Sequence, residues 1–323
     1  MKKEYLIPGA LILLLSAYLL FHKGNKNHYI LPEIKPIDTA EITTLKLQQK
    51  GRLIIFTKQD NLWTMTENAY AADTLSIDNM LGAISKLKLS ALISESSDLV
   101  RYELDDEKKI QVAALKGETV IFKFTMGKTA PSFNHTFVKI NGDKNVYHAD
   151  GSFRSYFEKQ VDDFRDKKVL DVKEPSVKTM LLQKDGHQKT LTALVSRKKD
   201  KSTDENKMEK ESRLWKMEDG TLADKEIVSD LLNAVTFVEC DSFVYDQTKE
   251  TLEQKTPDCT ISLNDGRNIH SLKIYKPAGE KQKLYGTSSM SSYGFVFSSY
   301  NGNRILEKVD KLLGIEQPEE KKK

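Results

Sequence analysis

Cysteine is almost missing from this chain. Its 323 residues hold two, Cys240 and Cys259, which excludes a disulfide-dense scaffold. Eight prolines and 16 glycines are too few for a collagen-like or low-complexity chain. Neither sign of charge dominates: 50 Lys and Arg stand against 47 Asp and Glu, a net of +3, which argues against nucleic-acid binding through bulk electrostatics. Arginine is scarce as well, 8 of the 50 basic residues. The rest are lysine, which more often solvates a surface than grips phosphate. What is present is 39% hydrophobic residues, enough to build one large core or two ordinary ones.

Motifs that carry chemistry are equally sparse. The six histidines (22, 28, 135, 148, 187 and 270) include no pair at helical spacing, and Cys-x-x-Cys does not occur, so no metal site is expected. Gly127-Lys128-Thr129 resembles the end of a phosphate loop. Position 122 is Phe where that loop needs Gly, however, and Ala130-Pro131 follows where it needs a helix. Gly-x-Ser-x-Gly is absent, and the run Thr287–Ser292 reads as turn-forming hydroxyls. No catalytic residue and no cofactor is expected.

The strongest local signal is an uncharged run, Tyr5 to Phe21. As a helix it reaches roughly 25 Å, near the short limit for a bilayer core of about 30 Å. Lys2, Lys3 and Lys23 can snorkel and Tyr5, Tyr18 and Tyr29 can sit at headgroup level, which closes the gap. No small-x-small cleavage site follows the run, and no Cys for lipid attachment. The expectation is one uncleaved transmembrane anchor with ends at Leu6 and Phe21, its N-terminus cytoplasmic and the bulk of the chain extracytoplasmic. Residues 22–38 then form a polar tether.

Downstream, the chain repeats itself. Trp63 precedes Asp73 and an apolar stripe at Ile77, Met80, Leu81, Ile84 and Leu87. Trp215 precedes Asp224 and the stripe Val228, Leu231, Leu232, Val235 and Val238. From Asp73 onward the two sets are related by a constant offset of 151 residues. Both follow the i, i+3, i+4, i+7 spacing of an amphipathic helix, with Asp placed to accept from free N–H groups of the first turn. Strand-like segments correspond too: Ile110–Gly117 with Cys259–Gly266, Val120–Phe124 with Ile269–Ile274, and Val146-Tyr147 with Val296-Phe297. Each half closes on another stripe, Phe153, Tyr156, Phe157 and Phe164 in the first, Ile305 to Leu313 in the second. Each half therefore reads β-β-β-α-β-β-β-α. The predicted fold class is α+β: two tandem repeats of a mostly antiparallel sheet with packed helices, spanning 39–172 and 173–315, after the N-terminal helix of 1–21. Arg197–Glu211 is a charged loop insertion, and 316–323 is expected to be a disordered tail. If the second half is exported, Cys240 and Cys259 can pair, closing a loop worth about 3 kcal/mol; the other reading is two buried thiols.

The layout resembles the bacterial domain-of-unknown-function family numbered 4340. The resemblance rests on the anchor, the Trp63 strand with Ala72-Asp73 and its helix, Tyr102-Glu103-Leu104, and the strand ending in Met126-Gly127. It extends to the Phe137-Val138…Val146-Tyr147 hairpin and Asp163–Leu170 (DFRDKKVL). It implies a single-pass protein associated with ABC-type transport systems like those linked to gliding motility, and it carries no catalytic residues. The expected function is a membrane-anchored, extracytoplasmic, non-enzymatic accessory of an ABC-type transport or gliding-like complex, with the bilayer and an ABC-type permease or ATPase as partners and no nucleic acid. Two alternatives are a ligand-binding or sensing module using a cleft between the repeats, and a cell-envelope hydrolase.

Overall fold

A computed structural model describes residues 12, 14–18, 29–65, 69–96, 98–140, 142–197, 211–244, 248–276 and 283–315. The chain divides into two compact units, Met1–Phe164 and Arg165–Lys323. The division precedes the expected boundary at 172/173 because the strand Lys168–Asp171 pairs with Phe237–Glu239 in the second unit.

In unit 1 the strands are β1 (Thr44–Gln49), β2 (Arg52–Gln59), β3 (Leu62–Met65), β4 (Tyr70–Ala71), β5 (Leu89–Ser94), β6 (Ile110–Lys116), β7 (Thr119–Thr129), β8 (His135–Ile140) and β9 (Val146–Asp150). They form one sheet in the order β4-β3-β2-β1-β6-β7-β8-β9-β5, antiparallel throughout. Helix α1 (Thr74–Ser85) starts where the sequence requires. Asp73 accepts from the Ser76 amide at 2.8 Å, and Ile77, Met80 and Ile84 are buried against the sheet. The stripe expected to close this half as a long helix is instead the short α2 (Arg154–Phe157) and a 3-10 turn over Val161–Phe164. Asp162 and Asp163 fall in the first turn of that 3-10 segment, the end at which carboxylates are favourable. The aromatic anchors still reach the core. Phe157 meets Phe124 and Phe164 meets Phe56, both edge to face, at 6.2 and 5.3 Å.

In unit 2 the strands are β10 (Lys168–Asp171), β11 (Thr179–Lys184), β12 (His187–Arg197), β13 (Glu211–Met217), β14 (Phe237–Glu239), β15 (Ser242–Phe243), β16 (Cys259–Asn264), β17 (Ile269–Tyr275), β18 (Tyr285–Ser288) and β19 (Phe295–Val296). The main sheet runs β13-β12-β11-β16-β17-β18-β19-β15, again antiparallel, with β10 and β14 forming a separate ribbon. Without β4, the order in unit 1 is β3-β2-β1-β6-β7-β8-β9-β5, so strands of the same rank stand in the same place. Helix α3 (Lys225–Val235) is capped by Asp224, which accepts from the amides of Glu226 and Ile227 at 2.9 and 3.0 Å. It buries Val228, Leu231, Leu232 and Val235 against the sheet and against α5 (Ser299–Leu313). A short α4 (Lys249–Glu253) precedes β16.

The fold is thus α+β with mostly antiparallel sheets. Of the expected anchor, Leu6 and Phe21 lie outside the described residues. Ile12 and Leu14–Tyr18 are helical, with Ile12, Leu14, Leu15 and Tyr18 exposed. No helix among the described residues is long and apolar enough to cross a membrane. The tether differs from its expected form. Leu31, Ile34 and Ile37 pack against the core of unit 1, so its second half is docked; residues 22–28 lie outside the described residues, as do 198–210 of the charged insertion and the tail 316–323.

Candidate functional site

Several residues singled out by the sequence turn out to be structural. Trp63 is half-buried on β3, and Trp215 is buried on β13 within the core of unit 2. Cys240 and Cys259 are both buried and no disulfide joins them, and burial pushes the Cys259 thiol up to about 12, far from a reactive thiolate. Gly127 lies within β7, which is strand and not a phosphate loop. Among the described residues no group of three or more His, Cys, Asp or Glu is arranged to hold a metal ion.

Two histidines that the sequence left isolated meet across the β8–β9 hairpin. The rings of His135 and His148 stack at 4.9 Å, and burial, followed by the charge on His135, lowers the pKa of His148. Ser132 Oγ lies 3.3 Å from His135 Nδ1, and Asp150 Oδ1 lies 3.7 Å from its Nε2. This order of groups resembles a hydrolytic triad only superficially. The Asp150 contact is longer than a hydrogen bond, and Ser132 Oγ accepts from the Asn134 amide within a surface turn.

The site with the most chemical character is a groove of about 670 Å³ in unit 2. One wall is the segment from Asp171 to Lys178, the other the turn from Asp265 to His270, with Ala193 of β12 and Arg213 of β13 between them. Antiparallel pairing brings these distant residues together. Lys178 donates its amide to the Asn264 carbonyl at 2.7 Å and accepts from the Ala193 amide at 2.8 Å, which joins β11 to both neighbours at the corner. Pro175, Ala193 and the edge of Val172 supply apolar surface, over the buried Val177.

The charged groups fall into two kinds. The carboxylates are engaged. Asp265 accepts from the amides of Arg267 and Asn268, each at 2.7 Å, and meets His270 Nε2 at 3.1 Å. The Asn268 and Arg267 amides, then His270, hold its carboxyl down to about 2. Asp171 pairs with Lys168 at 3.3 Å. Arg213 stacks over the Trp215 ring at 4.9 Å and donates through Nη1 to the Glu174 carbonyl at 2.8 Å and to its carboxylate at 3.1 Å, while its buried Nε has no hydrogen-bond partner. The remaining cations, Lys173, Lys178 and Arg267, form no ion pair with a carboxylate among the described residues. Such a lining can orient and neutralise an anion. Sequence reading did not find the groove, because it has no contiguous motif and its residues are scattered from 171 to 270.

Two antiparallel α+β units, the second bearing a cation-lined groove, define the architecture. A family model described as a domain of unknown function (DUF4340) matches residues 63–259, more than half of the chain, from the Trp63 strand to the first residue of β16. The chain belongs to that family. No curated protein and no solved structure matches it.

Proposed function

We propose that this protein is a membrane-anchored, extracytoplasmic binding protein without catalytic activity, an accessory of an ABC-type transport or gliding-like complex. The observation that carries the reading is the uncharged run Tyr5–Phe21, within which Ile12, Leu14, Leu15 and Tyr18 are helical and exposed. Apolar side chains left in water at this density are unfavourable by about 25 cal/mol per Å² of surface, and lipid removes the cost. The docked tether supports the same reading. From Phe21 to Leu31 an extended chain spans at most about 36 Å, which keeps unit 1 close to the bilayer surface. The matching strand orders and the constant sequence offset support an origin of the two units by duplication of one ancestral unit. The association with a transporter rests on the family resemblance alone.

Two fractionation results are expected. The full chain stays in the membrane pellet through alkaline carbonate washing, and purification in mild detergent co-isolates a permease or ATPase of the ABC type. Release by carbonate, or repeated isolation of the chain alone, contradicts the reading.

A further inference from the structure

The two units treat the same corner of the fold in opposite ways. Ahead of β1 a 3-10 turn spans Thr39–Glu41, and ahead of β11 one spans Glu174–Ser176. Thr43 and Lys178 then make corresponding backbone bonds: Thr43 to Leu115 and from Lys58, Lys178 to Asn264 and from Ala193. In unit 1 the corner is internally neutralised. Glu41 pairs with Lys116 at 2.8 Å, and the Thr43 hydroxyl accepts from the Gly117 amide at 2.8 Å. In unit 2 the positions of Asp38 and Thr43 are taken by Lys173 and Lys178, that of Thr39 by Glu174 and that of Glu41 by Ser176, so two cations are gained and one carboxylate is lost on balance. Arg213 and Arg267 add two of the chain's eight arginines to the same groove. The fold does not need this charge, because unit 1 is built without it.

We propose that the unit 2 groove binds a small organic polyanion, a molecule bearing two or more carboxylate or phosphate groups on a short apolar body. Four cations meet three carboxylates there, and each carboxylate is already engaged: Asp265 by its own turn, Asp171 by Lys168 and Glu174 by Arg213, which leaves Lys173, Lys178 and Arg267 without one among the described residues. Gathered like charges repel, and an anion relieves that repulsion while accepting charge-assisted hydrogen bonds. Guanidinium groups suit planar, bidentate recognition of carboxylate and phosphate. The volume falls within the range of small-molecule sites, and Pro175, Ala193 and the edge of Val172 can cover an apolar portion. The inference does not depend on membrane attachment or on a transporter partner, since every residue of the groove lies in unit 2.

The test is titration calorimetry on the full chain in non-ionic detergent, with citrate and pyrophosphate as soluble probes and detergent micelles containing phosphatidic acid as a third arm. Saturable binding of at least one probe is expected, weakened by added salt. Lys178→Ala and Arg267→Ala each weaken it about tenfold or more, while Lys144→Ala, an exposed lysine of unit 1, leaves it unchanged. Both groove side chains are exposed, so neither variant threatens folding, and melting curves verify this. Binding in the micelle arm alone assigns the polyanion to a lipid headgroup; binding of soluble probes assigns it to a free metabolite. Absence of binding in all three arms overturns the proposal, as does binding that both groove variants leave intact. Neither result bears on whether the chain is anchored in a membrane.

Discussion

Gly127→Ala should destabilise unit 1 by about 3 kcal/mol or more, lowering its melting temperature by roughly 10 °C. Gly127 is buried on β7, beside the register irregularity between Met126 and Thr129. A Cβ there would lie 2.0 Å from the Tyr102 carbonyl oxygen and 3.0 Å from Leu104 Cγ. The obstacle is backbone, so no side-chain rotation relieves it. The 3-10 turn Val100–Tyr102 would have to lift off the sheet, uncovering the small cluster in which Tyr102 and Leu104 pack with Phe137 and Val146. The same substitution at Gly82 should have the opposite sign. Gly82 is inside α1 with nothing near its missing Cβ, and alanine there gains about 0.5–1 kcal/mol from helix propensity and reduced freedom of the unfolded chain. Thermal melts of the two variants side by side check both. A Gly127→Ala protein that melts with the wild type would show that the turn is not held by this approach.

The second large effect lies in unit 2. Lys184 of β11 and Asp310 of α5 form a buried ion pair, each less than a tenth exposed. Lys189 reinforces the attachment by donating to the Leu312 carbonyl at the end of the same helix, at 3.0 Å. Asp310→Ala should cost about 3 kcal/mol, because it leaves a buried ammonium with only the longer contact to Asp185, at 3.8 Å. Replacing both partners, Lys184→Met with Asp310→Leu, should recover most or all of that loss, since two desolvated charges are exchanged for packing. Denaturant unfolding of the single and double variants reads this directly. A single variant within about 1 kcal/mol of wild type would mean that water reaches the lysine and that the pair is not buried in the working protein.

The legible parts of this fold were those with local causes. Asp73 and Asp224 announce their helices because a cap and an apolar stripe lie within a few residues of each other. Hairpins too have local causes, as at Lys184-Asp185-Gly186, whose turn residues stand between β11 and β12. The short strands β14, β15 and β10 escaped notice. They have two to four residues each and are strands only because a distant partner meets them. The closing stripe of unit 1 misled for a related reason: its four aromatic positions are all compatible with a helix, yet the helix ends at Phe157 and Phe164 reaches the core from a 3-10 turn. The docking of Leu31, Ile34 and Ile37 was hidden because three apolar residues in a polar stretch have no period that distinguishes packing from exposure. The groove was not readable at all, since Lys178, Arg213 and Arg267 become neighbours only through the register of four strands.

The central claim is that both units lie on the outer side of a membrane crossed by the N-terminal run. A membrane-impermeant maleimide applied to intact spheroplasts tests it, with Lys144→Cys as the reporter on an exposed turn of unit 1. The background is low by construction, because Cys240 and Cys259 are buried. The account predicts full labelling of the intact cells, with no gain on lysis. Labelling that appears only after lysis would place unit 1 in the cytoplasm and contradict it.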